Sequence, residues 1–262
     1  MRRTAQESGE KVKLRLRENK RQGRVTEGQE ARMRVDGILF DKDGTLFDFR
    51  TTWNTWAAGT IRELSSGNKV VAEAIAARLR YDLKTSAFDA ASPVIAGSNR
   101  EVAELVGEVL TERAVEEIEL FLTQTAAKAP LAPAVPLAPF LAEMRQRGLR
   151  LGVMTNDTEY GAKAHLGAAG VDHLFDFIAG FDSGWGPKPN PEPLLAFANL
   201  HGLSPARVVM VGDSRHDLMA GKRAGMQTVG VLTGMAPAEE LAPLADAVLP
   251  DIGHLASWIE SR

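Results

Sequence analysis

Two aspartates two residues apart, Asp41 and Asp43, close an apolar run over residues 35–40, and Gly44 and Thr45 follow at once. A short apolar run bounded by turn residues reads as a buried strand. The acidic pair therefore stands at a strand end, with two loop-forming residues suited to wrap an anion. Two carboxylates in such a place can divide labour, one attacking an electrophile and the other moving a proton. Asp and Gly also populate ordinary surface turns. The chain argues against the turn by repetition. A second run, residues 208–211, leads into Gly212-Asp213-Ser214-Arg215-His216-Asp217, and a third, residues 149–154, into Thr155-Asn156-Asp157. Between them lies a proline-flanked lysine, Lys188, in Gly186-Pro187-Lys188-Pro189.

Strands are expected at residues 35–40, 149–154, 176–179, 208–211, 227–231 and 247–249. Most are continuous apolar runs, as in parallel sheets covered on both faces. Helical patterns fill the gaps at 137–147, 159–169, 191–201 and 215–224. Gly148, Gly170, Gly202 and Gly225 stand just past them, where helix-terminating glycines belong. The alternation predicts an α/β fold with a doubly wound, Rossmann-like parallel sheet. Residues 49–134 break it. They read as helices at 52–64, 69–81, 99–110 and 112–128, with Ser98 to Glu101 in the form of a capping box. Pro130, Pro133 and Pro136 then mark a stiff return. The expected division is a basic tail at 1–34, a core at 35–48 and 135–262, and an inserted helical cap domain at 49–134.

The tail carries eleven Lys/Arg against five acids, a net +6 that leaves −9 for the rest of a chain of net charge −3. It has few apolar residues and no aromatic, so it reads as a solvated segment. The lack of interleaved aromatics argues against nucleic acid as a partner. Met33, just before the first strand, is a candidate start. The chain has no Cys, which excludes disulfides, thiol catalysis and thiolate metal sites and fits a cytoplasmic setting. No apolar stretch is long enough to span a bilayer, so no membrane partner is expected.

Strand ends gather at one edge of a doubly wound sheet. Asp41, Asp43, Thr155, Asn156 and Asp213 should meet there. Carboxylates brought together repel, and a hard cation such as Mg²⁺ relieves this with the oxygen ligands it prefers. A phosphoryl group also calls for a cation and N–H donors; Lys188 and the helix start near Asn156 can supply them.

Taken in order, the four segments at Asp41, Thr155, Lys188 and Asp213 resemble the motifs of the haloacid dehalogenase superfamily, and the resemblance runs from about residue 35 to the C-terminus. It implies that Asp41 is the nucleophile forming an aspartyl-phosphate and that Asp43 is the general acid and base. Thr155 and Asn156 would hold the phosphoryl group, and Lys188 would neutralise both it and the nucleophile. Mg²⁺ would be held by Asp41, Asp43 through its backbone carbonyl, Asp213 and Asp217. His216 is expected at the surface or behind the site. Dehalogenases of this kind lack an acid at the position of Asp43, so carbon–halogen cleavage is disfavoured. The branch most similar is that of phosphoglycolate phosphatases. The implied substrate is a small phosphorylated metabolite such as phosphoglycolate, with a sugar or nucleotide monophosphate, or a non-catalytic regulatory role, as alternatives. An acidic substrate would want a cation on the cap, for which Arg100 and Lys84 are candidates, although the favoured reading of each is an ordinary exposed side chain. Trp185 is expected at the pocket mouth or in simple packing, and Trp53 and Trp56 in the cap's core or interface.

Overall fold

A computed structural model describes residues 35–89, 91–96 and 98–262. The basic segment at 1–34 lies outside the described residues. The described residues begin with β1 (Gly37–Phe40). An insert follows, made of α1 (Phe49–Leu64), α2 (Lys69–Leu79), β2 (Tyr81–Asp82), β3 (Ala87–Phe88), α3 (Pro93–Ala96), α4 (Asn99–Gly107) and α5 (Val115–Ala126). Helix and strand then alternate through α6 (Leu137–Gln146), β4 (Arg150–Met154), α7 (Glu159–Ala168), β5 (Phe177–Ala179), α8 (Glu192–Leu200), β6 (Val208–Gly212), α9 (Arg215–Arg223), β7 (Gln227–Val231), α10 (Ala238–Leu241), β8 (Ala247–Leu249) and α11 (Leu255–Glu260).

Six strands form one sheet in the order β5-β4-β1-β6-β7-β8, every neighbouring pair parallel. The chain fills one side of β1 with β4 and β5, then crosses to β6, β7 and β8. The order therefore reverses between β1 and β6, where such sheets open a crevice for ligand. Register completes the placement. Phe40 pairs with both Val153 and Val211, so the residues just beyond all three strands reach the same edge.

Alternation within β1 explains the two layers of core. Ile38 and Phe40 join Leu137, Leu141 and Met144 of α6 on one face, whereas Leu39 joins Leu194 and Phe197 of α8 and Ala220 of α9 on the other. Each such side chain, fully removed from water, contributes roughly 1.5–3 kcal/mol before ordering entropy is charged against it. The insert has its own apolar cluster, built on Trp53, Trp56, Ile61, Ile75, Val106 and Leu122. Among the described residues no helix is long and apolar enough to cross a membrane.

The insert is not helical throughout. The helix expected to reach 81 stops at Leu79, because Arg80 takes a left-handed φ of +53°. Tyr81 and Phe88 then pair across a small antiparallel ladder with rings 4.9 Å apart. An arginine in the position usually held by Gly or Asn hid this stop. Helix α5 lies inside the expected 112–128. The capping box at Ser98 is present: its N–H donates to Glu101 Oε2 at 2.7 Å, and Glu101 N–H donates to Ser98 Oγ at 3.3 Å.

The two connections to the insert run side by side. Asp48 N–H donates to the Ala132 carbonyl at 2.7 Å, and Ala134 N–H donates to the Leu46 carbonyl at 2.9 Å. Phe47 and Pro133 face each other in an antiparallel bridge. Asp48 also caps α1, accepting from Thr51 N–H at 2.7 Å.

Candidate active site

Asp41 follows β1 directly, fixed by its own N–H to the Val211 carbonyl at 2.8 Å. Lys188 Nζ lies 2.6 Å from Asp41 Oδ1 and 2.6 Å from Asp217 Oδ1, so one buried ammonium bridges the strand ends of β1 and the start of α9. The other Asp217 oxygen accepts from Ser214 N–H at 3.0 Å and Ser214 Oγ at 2.6 Å. Asp217 is thus both a first-turn acid of the helix and a partner of Lys188. Asp41, Asp213 and Asp217 each bring a carboxylate oxygen within 4.8 Å of the others, and all three are buried.

Glycine permits this crowding. Gly44 sits at φ +80°, and a Cβ there would lie 2.4 Å from the Asp213 carboxylate; one on Gly234 would come still closer to the same group. Thr233 Oγ1 donates to the Gly44 carbonyl at 2.6 Å and ties the two loops together.

The electrostatics favour a cation. Burial pushes Asp41 up to about 7 against the pull of Lys188, with Asp217 and Asp43 adding to the rise. Burial, then Asp41 and Asp217, likewise raises Asp213 well above the usual carboxylate range. Lys188 is held above the ordinary lysine value by Asp217 and Asp41, although burial opposes its charge. One lysine thus leaves this cluster short of positive charge. Its donors are all hard oxygens, a set that fits Mg²⁺.

Asn156 and Thr155 flank the cluster from β4. Asn156 clamps the backbone of Lys188: its Oδ1 accepts from Lys188 N–H at 2.8 Å and its Nδ2 donates to the Lys188 carbonyl at 3.0 Å. The amide expected to touch phosphate therefore also aims the lysine. Thr155 Oγ1 accepts from Asp157 N–H at 3.1 Å and stays on the pocket wall. His216, expected at the surface or behind the site, also lines the pocket. Trp185 packs on Phe177, ring centroids 5.5 Å apart, and is absent from the lining.

Asp43 stands apart from the three buried acids. Its Oδ1 accepts from Trp53 Nε1 at 3.0 Å, and Lys42 Nζ lies 2.7 Å from its Oδ2. Lys42 is fully buried; its Nζ also meets Asp157 Oδ2 at 3.0 Å and His165 Nδ1 at 2.8 Å, with the Trp53 ring centroid 5.6 Å away. Burial works against its charge, yet Asp43 and Asp157 keep it above the ordinary lysine value. An ammonium only donates. His165 Nδ1 must accept, so Nε2 carries the proton and donates to the Ala126 carbonyl of α5 at 2.7 Å. Burial and the neighbouring Lys42 lower the His165 pKa, in keeping with a neutral ring.

Lys42, Asp157, His165 and the polar role of Trp53 were not apparent from the sequence. A lysine between two aspartates after a strand ordinarily reads as solvated, and nothing local says that two acids and an imidazole will close over it. The one available signal was Asp157, inside the Thr155-Asn156-Asp157 segment.

The insert also settles the two cations considered for it. Arg100 is engaged by Glu104, Glu116 and Glu119 at 3.0, 3.0 and 3.1 Å and does not line the pocket. Lys84 lies in the turn between β2 and β3, its N–H donating to Asp82 Oδ1 at 2.7 Å, and is also absent from the lining. Both are exposed side chains, the ordinary reading of each, and neither is the cap cation.

The sequence and the fold have relatives. The chain is 32% identical over 216 residues to "Probable phosphatase IndB" of Dickeya dadantii, covering 82% of this chain and 88% of that one. It is 30% identical over 207 residues to the phosphoglycolate phosphatase of Aquifex aeolicus, covering 77% and 86%. Its fold superposes on the crystal structure of a predicted phosphoglycolate phosphatase from Haemophilus somnus with a TM-score of 0.62 at 20% identity, over 86% of this chain and 97% of that one. Residues 35–225 match the haloacid dehalogenase-like hydrolases, and with the strand-end acids and buried lysine found where that match lies, the chain belongs to this family.

Proposed function

We propose that the protein is a Mg²⁺-dependent phosphomonoesterase that works through an aspartyl-phosphate on Asp41. The observation that carries this is the meeting of Asp41, Lys188, Asp213 and Asp217 at one strand edge, with Asp43 held separately and lining the same pocket. Phosphatase relatives in the same family support the reading. Residues 49–134 form the cap over a core of 35–48 and 135–262, and the cysteine-free chain works in the cytoplasm.

In the first step an Asp41 oxygen forms a bond to phosphorus while the ester oxygen departs and takes a proton from Asp43. In the second, Asp43 draws a proton from water; that water attacks phosphorus, inorganic phosphate leaves and the Asp41 carboxylate is restored. Lys188 offsets charge on Asp41 and on the phosphoryl oxygens, while Thr155 and Asn156 orient them. Asp41, Asp213 and Asp217, with the Asp43 backbone carbonyl, are the residues that would hold Mg²⁺, which when bound neutralises the acids and the transferring group. Activity should vanish on chelation with EDTA and return with added Mg²⁺. Unchanged turnover of a phosphate ester in EDTA would refute the metal requirement.

The separate placement of Asp43 gives a sharper test. Asp43→Asn keeps the nucleophile and loses the proton donor. Turnover of an alkyl phosphate should fall roughly a hundred-fold. Phosphorylation of the enzyme by an aryl phosphate, whose leaving group needs less help, should fall much less. Equal losses for the two esters in single-turnover measurements would remove Asp43 from the proton-transfer role.

The pocket, about 150 Å³, is below the roughly 300–1,000 Å³ usual for drug-sized ligands, which favours a small monoester. The relatives' names put phosphoglycolate among the candidates; a sugar or nucleotide monophosphate is the alternative.

A further inference from the structure

We infer that the alcohol released by this site is small, uncharged, and apolar or aromatic, so that carboxylate-bearing esters such as phosphoglycolate are poor substrates. The inference rests on the phosphatase reading and narrows it. The core side of the pocket is polar and can account for the phosphoryl group. The insert supplies the wall left for the rest of the substrate, and apart from Asn99 that wall is apolar: Phe49, Trp53 and Trp56 from α1, Val94 and Ile95 from α3, and Val102 from α4.

Charge is missing from this wall in a specific way. Among the described residues, Lys188 is the sole Lys or Arg in the lining, and its ammonium already meets Asp41 and Asp217. Lys42 is sealed among Asp43, Asp157 and His165 and does not line the pocket. Arg100 is turned to three glutamates. His216 lines the pocket from α9, on the side of the acids rather than on the insert. A leaving group with a carboxylate would thus lose its water against aromatic and aliphatic carbon with no cation to replace it.

Hydroxyl-rich groups fare little better. Both indole N–H donors are committed, Trp53 to Asp43 and Trp56 to Thr125 Oγ1 at 3.2 Å. What remains of the two rings, packed edge to face at 5.3 Å, is carbon surface. Asn99, the polar side chain of α4 in the lining, already donates to Thr123 Oγ1 at 2.8 Å. A sugar would leave most of its hydroxyls unpaired, whereas an aromatic or aliphatic body gains contact.

The test uses the full chain with Mg²⁺ and two non-hydrolysable probes that share a two-carbon spacer. Phenethylphosphonate mimics benzyl phosphate, and 3-phosphonopropionate mimics phosphoglycolate. By calorimetry, phenethylphosphonate should bind at least about ten-fold more tightly. Equal or reversed affinity overturns the inference, and so does failure of both probes to bind. Ile95→Arg, at a half-buried wall position, should narrow the ratio at least about five-fold by giving the carboxylate a partner; an unchanged ratio overturns the assignment of this wall to the leaving group. Hydrolysis is scored separately on benzyl phosphate and phosphoglycolate. Turnover of neither ester would refute the phosphatase reading, while the order of the two phosphonates alone decides the chemistry of the wall.

Discussion

Asparagine at position 41 is expected to reduce phosphate-ester turnover by more than about a thousand-fold, because an amide cannot attack phosphorus as a carboxylate does. The fold should survive it. Asp41 is a charge that the apo site tolerates poorly, with burial raising it from the ordinary 3.8 to about 7. The sign of the pH effect follows. Between those values the folded state binds the extra proton, so stability falls as pH rises through that window. In metal-free buffer Asp41→Asn should therefore gain stability relative to wild type as pH is raised from about 4 to 7. Thermal melts in EDTA across that range, beside an assay with Mg²⁺, check both halves. Near-native activity would refute Asp41 as nucleophile, and a melting difference that shrinks with rising pH would refute the electrostatic account.

Lys42→Met is expected to be the most destabilising single change at the site. It removes the ammonium shared by Asp43 and Asp157 and leaves Asp157 ionised in a largely closed space. Breaking such a buried pair costs roughly 3 kcal/mol or more, which in a protein of this size lowers Tm by about 6–12 °C. Turnover should fall as well, since Asp43 loses one of its two anchors. The double variant with Asp157→Asn separates the effects. It should recover most of the stability, because the stranded charge is gone, yet little of the activity, because Asp43 is still held on one side only. Recovery of both together would mean that Lys42 acts through folding alone.

The legibility of this site follows from where its information resides. The acids at 41, 213 and 217 could be read because a short buried strand is recognisable from local composition, and a parallel sheet brings strand ends together whatever lies between them. Lys188 stood out through its prolines. The arrangement around Lys42 depends on α1, α7 and the end of α5 converging from positions far apart in the chain, up to 123 residues in the case of His165, and no local pattern encodes that convergence. The same limit applied to Arg100. Its sequence position allowed a role in the pocket, but the acids that claim it come from both α4 and α5. The β2–β3 ladder escaped because two-residue strands carry no periodicity and Arg80 carries no glycine-like signal.

The paired connections between core and insert have a mechanical corollary. Two separate tethers would let a domain roll and slide. Here residues 46–48 and 132–134 are bonded to each other as a narrow ribbon. A ribbon flexes readily across its plane and resists twisting and shear within it. If residues 49–134 move as a cap, these bonds would favour a swing across the ribbon's plane over sliding or twisting. Trp53 on Asp43 and Ala126 on His165 would then part and meet in the same stroke, so that the apolar wall reaches the substrate in the movement that docks Trp53 on a proton donor which stays with the core.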